Sequence, residues 1–273
     1  MEGQLKRNNI FGKIIVIIFS LVVILPILPL FMWVFTERFT WPSLFPQAFS
    51  LRAINSLIRM NSELMKTFAL SIVLSLTVAA ISVVIGLMTA RALSFYEFRL
   101  KGVVSFLVMF PFLVPTTVFA MGIQVTLLRI GLAGNVWGVI LCHVIYSAPY
   151  ATRLIEEGTR ALSLKLEEQA RVLGCSPVKA FFKVSLPNLT PVILSAFTMA
   201  YLISFSQYFL TLLIGGGNVN TFAVIMVPYI QGGERNFASI YSLVFMIVTI
   251  VIFAGFDRLA KLFLKNAEIE YHR

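Results

Sequence analysis

Apolar residues in this chain come in long unbroken runs rather than in alternation with polar ones. Six runs, at 14–35, 67–93, 102–128, 136–154, 191–214 and 237–263, approach the roughly 20 residues an α-helix needs to cross a bilayer. Runs of this kind predict spanning helices, because barrel strands alternate and every backbone polar group in hydrocarbon needs a partner within the protein. Lys6, Arg7 and Lys13 precede the first run as in a signal peptide. Its apolar core is too long for one and no small-x-small cleavage site follows, so it reads as an uncleaved span, with Pro26 and Pro29 placed to kink it.

Two segments between the runs have patterns of their own. Leu51, Ile54, Ile58 and Met65 recur at helical spacing with Arg52, Arg59 and Glu63 between them, which predicts one interfacial helix over 51–65. After Gly215, Gly216 and Gly217, the apolar piece 221–230 is too short to span and carries Pro228, which predicts a re-entrant or interfacial segment. Gly134 and Gly138 have the spacing that lets two helices approach closely, a spacing that chance also supplies in a chain of 16 glycines.

Composition fixes the solvent. Of 273 residues, 59% are hydrophobic and 12% charged. A mean hydropathy of +0.90 belongs to a chain surrounded by lipid. The net charge of +10 follows from topology: sixteen Lys and Arg fall on the side of the N-terminus and six on the other. That bias predicts both termini in the cytoplasm of a cell-membrane protein with an even number of spans. It also argues against nucleic-acid binding, which gathers basic residues on one soluble face. Cys142 and Cys175 form no C-x-x-C or Cys/His cluster, so neither disulfide nor metal site is predicted, and Cys142 reads as a small packing residue.

The connection over 155–190 departs most from this frame. It holds nine charged residues, Glu156 to Lys183, where the other inside connection is short. Leu166, Ala170 and Leu173 form one apolar strip. Glu167, Glu168 and Arg171 fall on the other arc, with Glu167 and Arg171 at ion-pair spacing. Gly174 stands where a helix ends in a positive φ, Ser176-Pro177 reads as an N-cap with Pro in the first turn, and Leu186-Pro187 reads as a stop. Thr190-Pro191 repeats the cap signal and opens the fifth span. Two short helices joined at a glycine turn are therefore expected, as a knob for a groove on a partner.

Here the residues resemble a known family. Glu168-Gln169-Ala170, three residues, Gly174, nine residues and Val184-x-Leu186-Pro187 are similar to the loop of binding-protein-dependent ABC importer permeases, whose pattern is Glu-Ala-Ala, x3, Gly, x9, Ile-x-Leu-Pro. Gln169 and Val184 depart mildly. The resemblance extends over 61–264, with Asn61-Ser62, Pro111 to Pro115, His143 and Pro149-Tyr150 similar to the branch that imports polyamines, ferric iron, sulfate, thiamine or phosphonates. It implies an all-α type I ABC importer permease fold with six transmembrane helices. Residues 1–60 would hold the first span and an external segment, 61–264 the permease core, and 265–273 a cytoplasmic tail. It implies that Glu167, Glu168, Gln169, Ala170, Arg171, Gly174, Leu186 and Pro187 couple to a cytoplasmic ATPase dimer. A second permease subunit, identical or different, and an extracytoplasmic substrate-binding protein complete the expected assembly. No G-x-x-x-x-G-K-[ST] loop is present, so ATP and Mg would be bound by the partner subunit and this chain is no enzyme.

Five polar residues in or near the spans are candidates for a translocation path: Gln124, His143, Ser204, Gln207 and Tyr208. An intramembrane ionisable residue marks function by default, although a neutral His143 bonded to a backbone carbonyl would serve packing equally well. The run Ser204 to Tyr208 requires either a partner helix or a wet cavity. An ion-driven secondary transporter is the competing class, but no Asp or Glu lies deep in a span. A membrane enzyme lacks paired carboxylates and any nucleophile with an adjacent base. A channel or scaffold leaves the long charged connection unexplained.

Overall fold

The computed structural model describes residues 2–38, 46–59 and 62–271. Asn61, which belongs to the resemblance, and Arg273, which belongs to the charge count, lie outside the described residues. Thirteen helices and one short hairpin make up the described part. Five helices, at Gly12–Val34, Ser62–Phe95, Val136–Leu162, Pro177–Phe205 and Arg235–Leu259, are long and apolar enough to cross a membrane. The third expected span, 102–128, is instead a broken pair, α5 (Lys101–Leu113) and α6 (Thr116–Arg129), bent by 113°. It is not the single helix that its apolar run predicts. Pro115 removes a backbone donor, and Val114 before it takes an extended conformation (φ −103°, ψ 121°) that cannot continue α5.

The chain divides into two compact units. The first comprises residues 1–61 and 226–247. In it α1 (Glu2–Ile24) runs into α2 (Leu28–Val34) through a single 3₁₀ turn at Leu25–Ile27, which holds Pro26 and precedes Pro29, and Gly12–Val34 remains one continuous apolar helix. β1 (Thr36–Arg38) pairs antiparallel with β2 (Ala48–Phe49). α3 (Arg52–Ile58) is a seven-residue helix, shorter than the expected 51–65, and Met65 belongs to the next helix. Asn236 donates to the carbonyls of Trp33 (3.2 Å) and Val34 (2.6 Å), closing the free end of α2.

The second unit comprises 62–225 and 248–273. Its core is α4 (Ser62–Phe95) against α7 (Val136–Leu162), with α10 (Leu186–Phe205) packed on both. The reason is written along α4. Ser71, Ser75, Ala79, Ser82, Gly86 and Ala90 follow at intervals of three or four, so small residues occupy one face and let α7 come close. A Cβ on Gly86 would lie 3.0 Å from the Thr152 nitrogen. Ser82 and Ser147 bond across this seam (2.8 Å), and Val139, His143, Ser147, Ala151, Ile155 and Thr159 form the matching buried face of α7. That face continues to Thr159, five residues past the expected end at 154, and α7 itself runs to Leu162, so the connection is shorter than its charge pattern predicts.

α11 (Phe209–Gly215) lies beyond α10 and ends on Gly216 in the left-handed region (φ +53°). The expected fifth span over 191–214 is therefore interrupted at Ser206–Tyr208. The piece after the glycines is the short helix α12 (Phe222–Gln231), whose first N–H donates to Ser71 Oγ (2.7 Å). α13 (Arg235–Tyr271) is the last of the described helices. Gly138 owes its small size to its own turn, since a Cβ would lie 2.1 Å from the Leu132 carbonyl oxygen, and it does not bring two helices together.

Candidate functional site

The charged connection folds around one tight turn. α7 ends at Ser163, the one non-glycine residue with positive φ (62°) among those described. α8 (Lys165–Val172) follows, and Gly174 turns the chain at φ +90°. Cys175 N–H donates to Ala170 O and Gly174 N–H to Arg171 O, each at 3.0 Å, the paired bonds of a Schellman ending. Space around Gly174 is open, so backbone conformation alone calls for glycine. Ser176 caps α9 (Pro177–Ala180) by accepting from the Lys179 N–H (3.4 Å).

Leu186-Pro187 does not stop this helix. One π turn, Phe181–Ser185, carries α9 into α10, and the Leu186 N–H bonds back five residues to Phe181 O. The wider turn absorbs the proline, and Asn188 Nδ2 donates to the Val184 carbonyl (2.7 Å). Nor does Thr190-Pro191 begin a helix: Thr190 Oγ1 donates to Leu186 O (2.9 Å) and Pro191 lies inside α10. The second short helix of the expected pair is thus the first turns of the following span.

Glu167 points inward, which its neighbours in sequence do not reveal. Arg91 of α4 grips it with two hydrogen bonds, 2.6 and 3.1 Å, the bidentate fork of a strong ion pair. Ser185 Oγ donates to the same carboxylate. The Arg91 guanidinium also lies over the rings of Phe181 (4.5 Å) and Phe95 (5.5 Å). Hydrogen bonding from Arg91 holds the Glu167 carboxyl below the usual carboxylate range, against the opposing effect of burial and with help from Ser185. Arg171 adds to this at longer range, and the ion pair expected between Glu167 and Arg171 is replaced by the pair with Arg91.

The tip of the knob exposes apolar side chains. Val172 and Leu173 beside the turn are 87% and 85% exposed, and Val178 and Phe182 are exposed as well. Leu166 and Leu173 of the expected apolar strip face outward. Lys165, Glu168, Gln169, Val172 and Leu173 line one open depression. Arg171 is exposed and Ala170 half-buried on the same helix, while Leu186 and Pro187 lie at the π turn behind it. Behind the turn, buried Glu156 is bracketed by Arg153 (3.2 Å) and Arg160 (2.6 Å) on the last turns of α7.

The second group of candidates gathers at the interruption between α10 and α11. His143 of α7 is buried, with Nδ1 2.9 Å from Ser204 Oγ and Nε2 3.0 Å from Thr211 Oγ1. Its partners are hydroxyls and not the backbone carbonyl weighed above. Gln207 and Tyr208 form the interruption and are half-buried. Gln124 is half-buried on α6 and takes no part in this hydrogen-bonded group. No motif or spacing in the sequence marks Arg91, Ser185 or Thr211 as functional. Arg91 counted only as a charge at a span end, and the small-residue stripe of α4 was the visible signal that this helix has a buried face.

Residues 82–268 match the family described as binding-protein-dependent transport system inner membrane component. The chain is 26% identical over 156 residues to the spermidine/putrescine transport system permease protein PotC of Haemophilus influenzae, covering 57% of this chain and 61% of that protein. It is 31% identical over 131 residues to the molybdate/tungstate transport system permease protein WtpB of Pyrococcus abyssi, covering 48% and 52%. Among solved structures, a bacterial ABC transporter involved in the import of the acidic polysaccharide alginate superposes with a TM-score of 0.66 at 15% identity, over 93% of this chain and 96% of that one. The fold is that of the type I ABC importer permeases. The chain belongs to the family of binding-protein-dependent transport system inner membrane components.

Proposed function

We propose that this chain is the membrane-spanning subunit of an ATP-driven importer, and that the α8 knob docks into a groove of a cytoplasmic ATPase dimer. The observation that carries this reading is the knob's two-sidedness. Its inner face is fastened by Glu167 to Arg91 and Ser185, while its tip presents Val172, Leu173, Val178 and Phe182 to the surroundings. An exposed apolar tip on a charged neck suits a partner's groove. Glu168, Gln169 and Arg171 then meet the ATPase, whereas Glu167, Gly174, Leu186 and Pro187 hold the knob in shape. ATP and Mg sit in the partner, a second permease chain completes the path, and a binding protein delivers the solute from outside. Both termini face the cytoplasm, as the charge bias requires.

The cargo we propose is a small hydrophilic solute. A polyamine is the first to test, since relatives named for spermidine and putrescine recur; ferric iron, thiamine, phosphonate and sulfate are the comparison set. Glu168→Lys and Gly174→Asp should abolish copurification with the ATPase and ATP-dependent uptake, with insertion of the chain unchanged. Variants that copurify and transport normally would exclude the knob as the coupling element.

A further inference from the structure

His143 does more than fill a place in the core. Its two ring nitrogens reach the two halves of one interrupted helix: Ser204 belongs to the last turn of α10, and Thr211 to the first turn of α11. The three residues between the halves are Ser206, Gln207 and Tyr208. Imidazole geometry fixes the direction of both bonds. Thr211 Oγ1 already donates its proton to the Gln207 carbonyl (2.9 Å), so it accepts from Nε2–H. Nδ1 therefore carries a lone pair and accepts from the Ser204 hydroxyl. Through Thr211 the chain of bonds continues to the Gln207 carbonyl, inside the interruption itself.

The interruption needs such support. Ending α10 and restarting α11 leaves backbone N–H and C=O groups without intrahelical partners. Within the depth of a membrane, irregular backbone is tolerated only where it is buried in protein or lines water. Ser206 is exposed on this chain, with Gln207 and Tyr208 half-exposed. We infer that His143 is a positioning residue: it clamps the two half-helices at a fixed break, so that the Ser206–Tyr208 backbone and the Gln207 side chain stand at a water-filled path as polar contacts for a hydrophilic solute. This rests on the translocation role proposed above, but its test reads water access and not transport.

In the full-length protein, Ser206→Cys is treated in proteoliposomes with a hydrophilic thiol reagent, and the modified peptides are quantified by mass spectrometry. Native Cys175, in the knob, is the internal control, and buried Cys142 is the blank. Ser206→Cys should react at a rate comparable with Cys175. Adding His143→Leu should let the halves realign and lower the rate at position 206 about tenfold, the scale of one to two net hydrogen bonds, with Cys175 unaffected. His143→Gln, which keeps a donor and an acceptor, should restore part of the rate. Ser204→Ala with Thr211→Val should produce the same fall, and adding His143→Leu to that pair should add nothing. Reaction at position 206 only with a lipid-soluble reagent would overturn the inference. So would a fall shared equally by Cys175, which reports general misfolding, or effects of the three residues that simply add. Failure of every candidate solute to be taken up, with labelling as expected, would count against the transport reading and leave the clamp standing.

Discussion

The first span and α7 are opposites. Gly12–Val34 is the most apolar of the spanning helices, and none of its most apolar stretch is buried within the chain; Val136–Leu162 is the least apolar, and 67% of its stretch is buried. In water the ranking would be reversed. Lipid accepts Ile, Val and Leu as readily as a protein core does, so apolarity brings no pressure to bury the first span. α7 instead carries His143, Ser147, Thr152 and Thr159, and its neighbours enclose these together with Val139, Ala151 and Ile155. The lesson is that in a membrane the polar and small residues locate the core.

The sharpest way to break this contrast lies at the inner end of the seam, where α4 meets the knob. Glu167→Lys sets a second cation against Arg91 in a site where the two side chains are only 8% and 18% exposed, and should destabilise the protein by about 3–5 kcal/mol. Thermal unfolding in detergent measures it, and Arg91→Glu combined with Glu167→Arg should recover part of the loss. The same pair sets a pH dependence. Because Arg91 depresses the Glu167 pKa in the folded state, its contribution is complete above the ordinary carboxylate pKa and disappears as pH falls through the lower native value. A plot of Tm against pH should therefore show the wild type losing stability on acidification more steeply than Glu167→Gln. Parallel curves would rule this coupling out.

Next in size is Gly86→Val. The added side chain would enter the backbone of α7 at Thr152 and Ala151, and overpacking of this kind costs about 1–3 kcal/mol. Unchanged stability would mean that α4 and α7 do not meet at this seam. The smallest effect belongs to the first span. Ile17→Ala, on a helix whose apolar side chains are exposed on this chain, should change Tm by no more than an exposed substitution does, within about 0.5 kcal/mol. A loss as large as that of Gly86→Val would show that the first span has a protein partner.

Span existence was legible because length and apolarity are local properties, and the Gly174 turn was legible because it depends on few residues. Continuity was not. Pro115 broke a run that composition made one span, whereas Pro187 and Pro191 failed to break another, since a π turn and the Asn188 side chain took up what Pro187 displaces. A proline's effect depends on whether nearby groups can satisfy the freed backbone. The partner of Glu167 was equally hidden: Arg171 is four residues away in sequence, but Arg91, 76 residues away, is the one within 2.6 Å.

The sequence alone is enough to show that this chain lives in lipid, that about six apolar segments can span it, and that one loop carries the spacing of a coupling element. Those follow from hydropathy, charge bias and a short motif, all of which act within a turn or a span length. Which helices form the core, that the knob hangs from Arg91, and that His143 bridges a broken helix emerge only when the chain is folded. Each of these depends on polar groups far apart in the chain finding one another where neither water nor lipid could satisfy them.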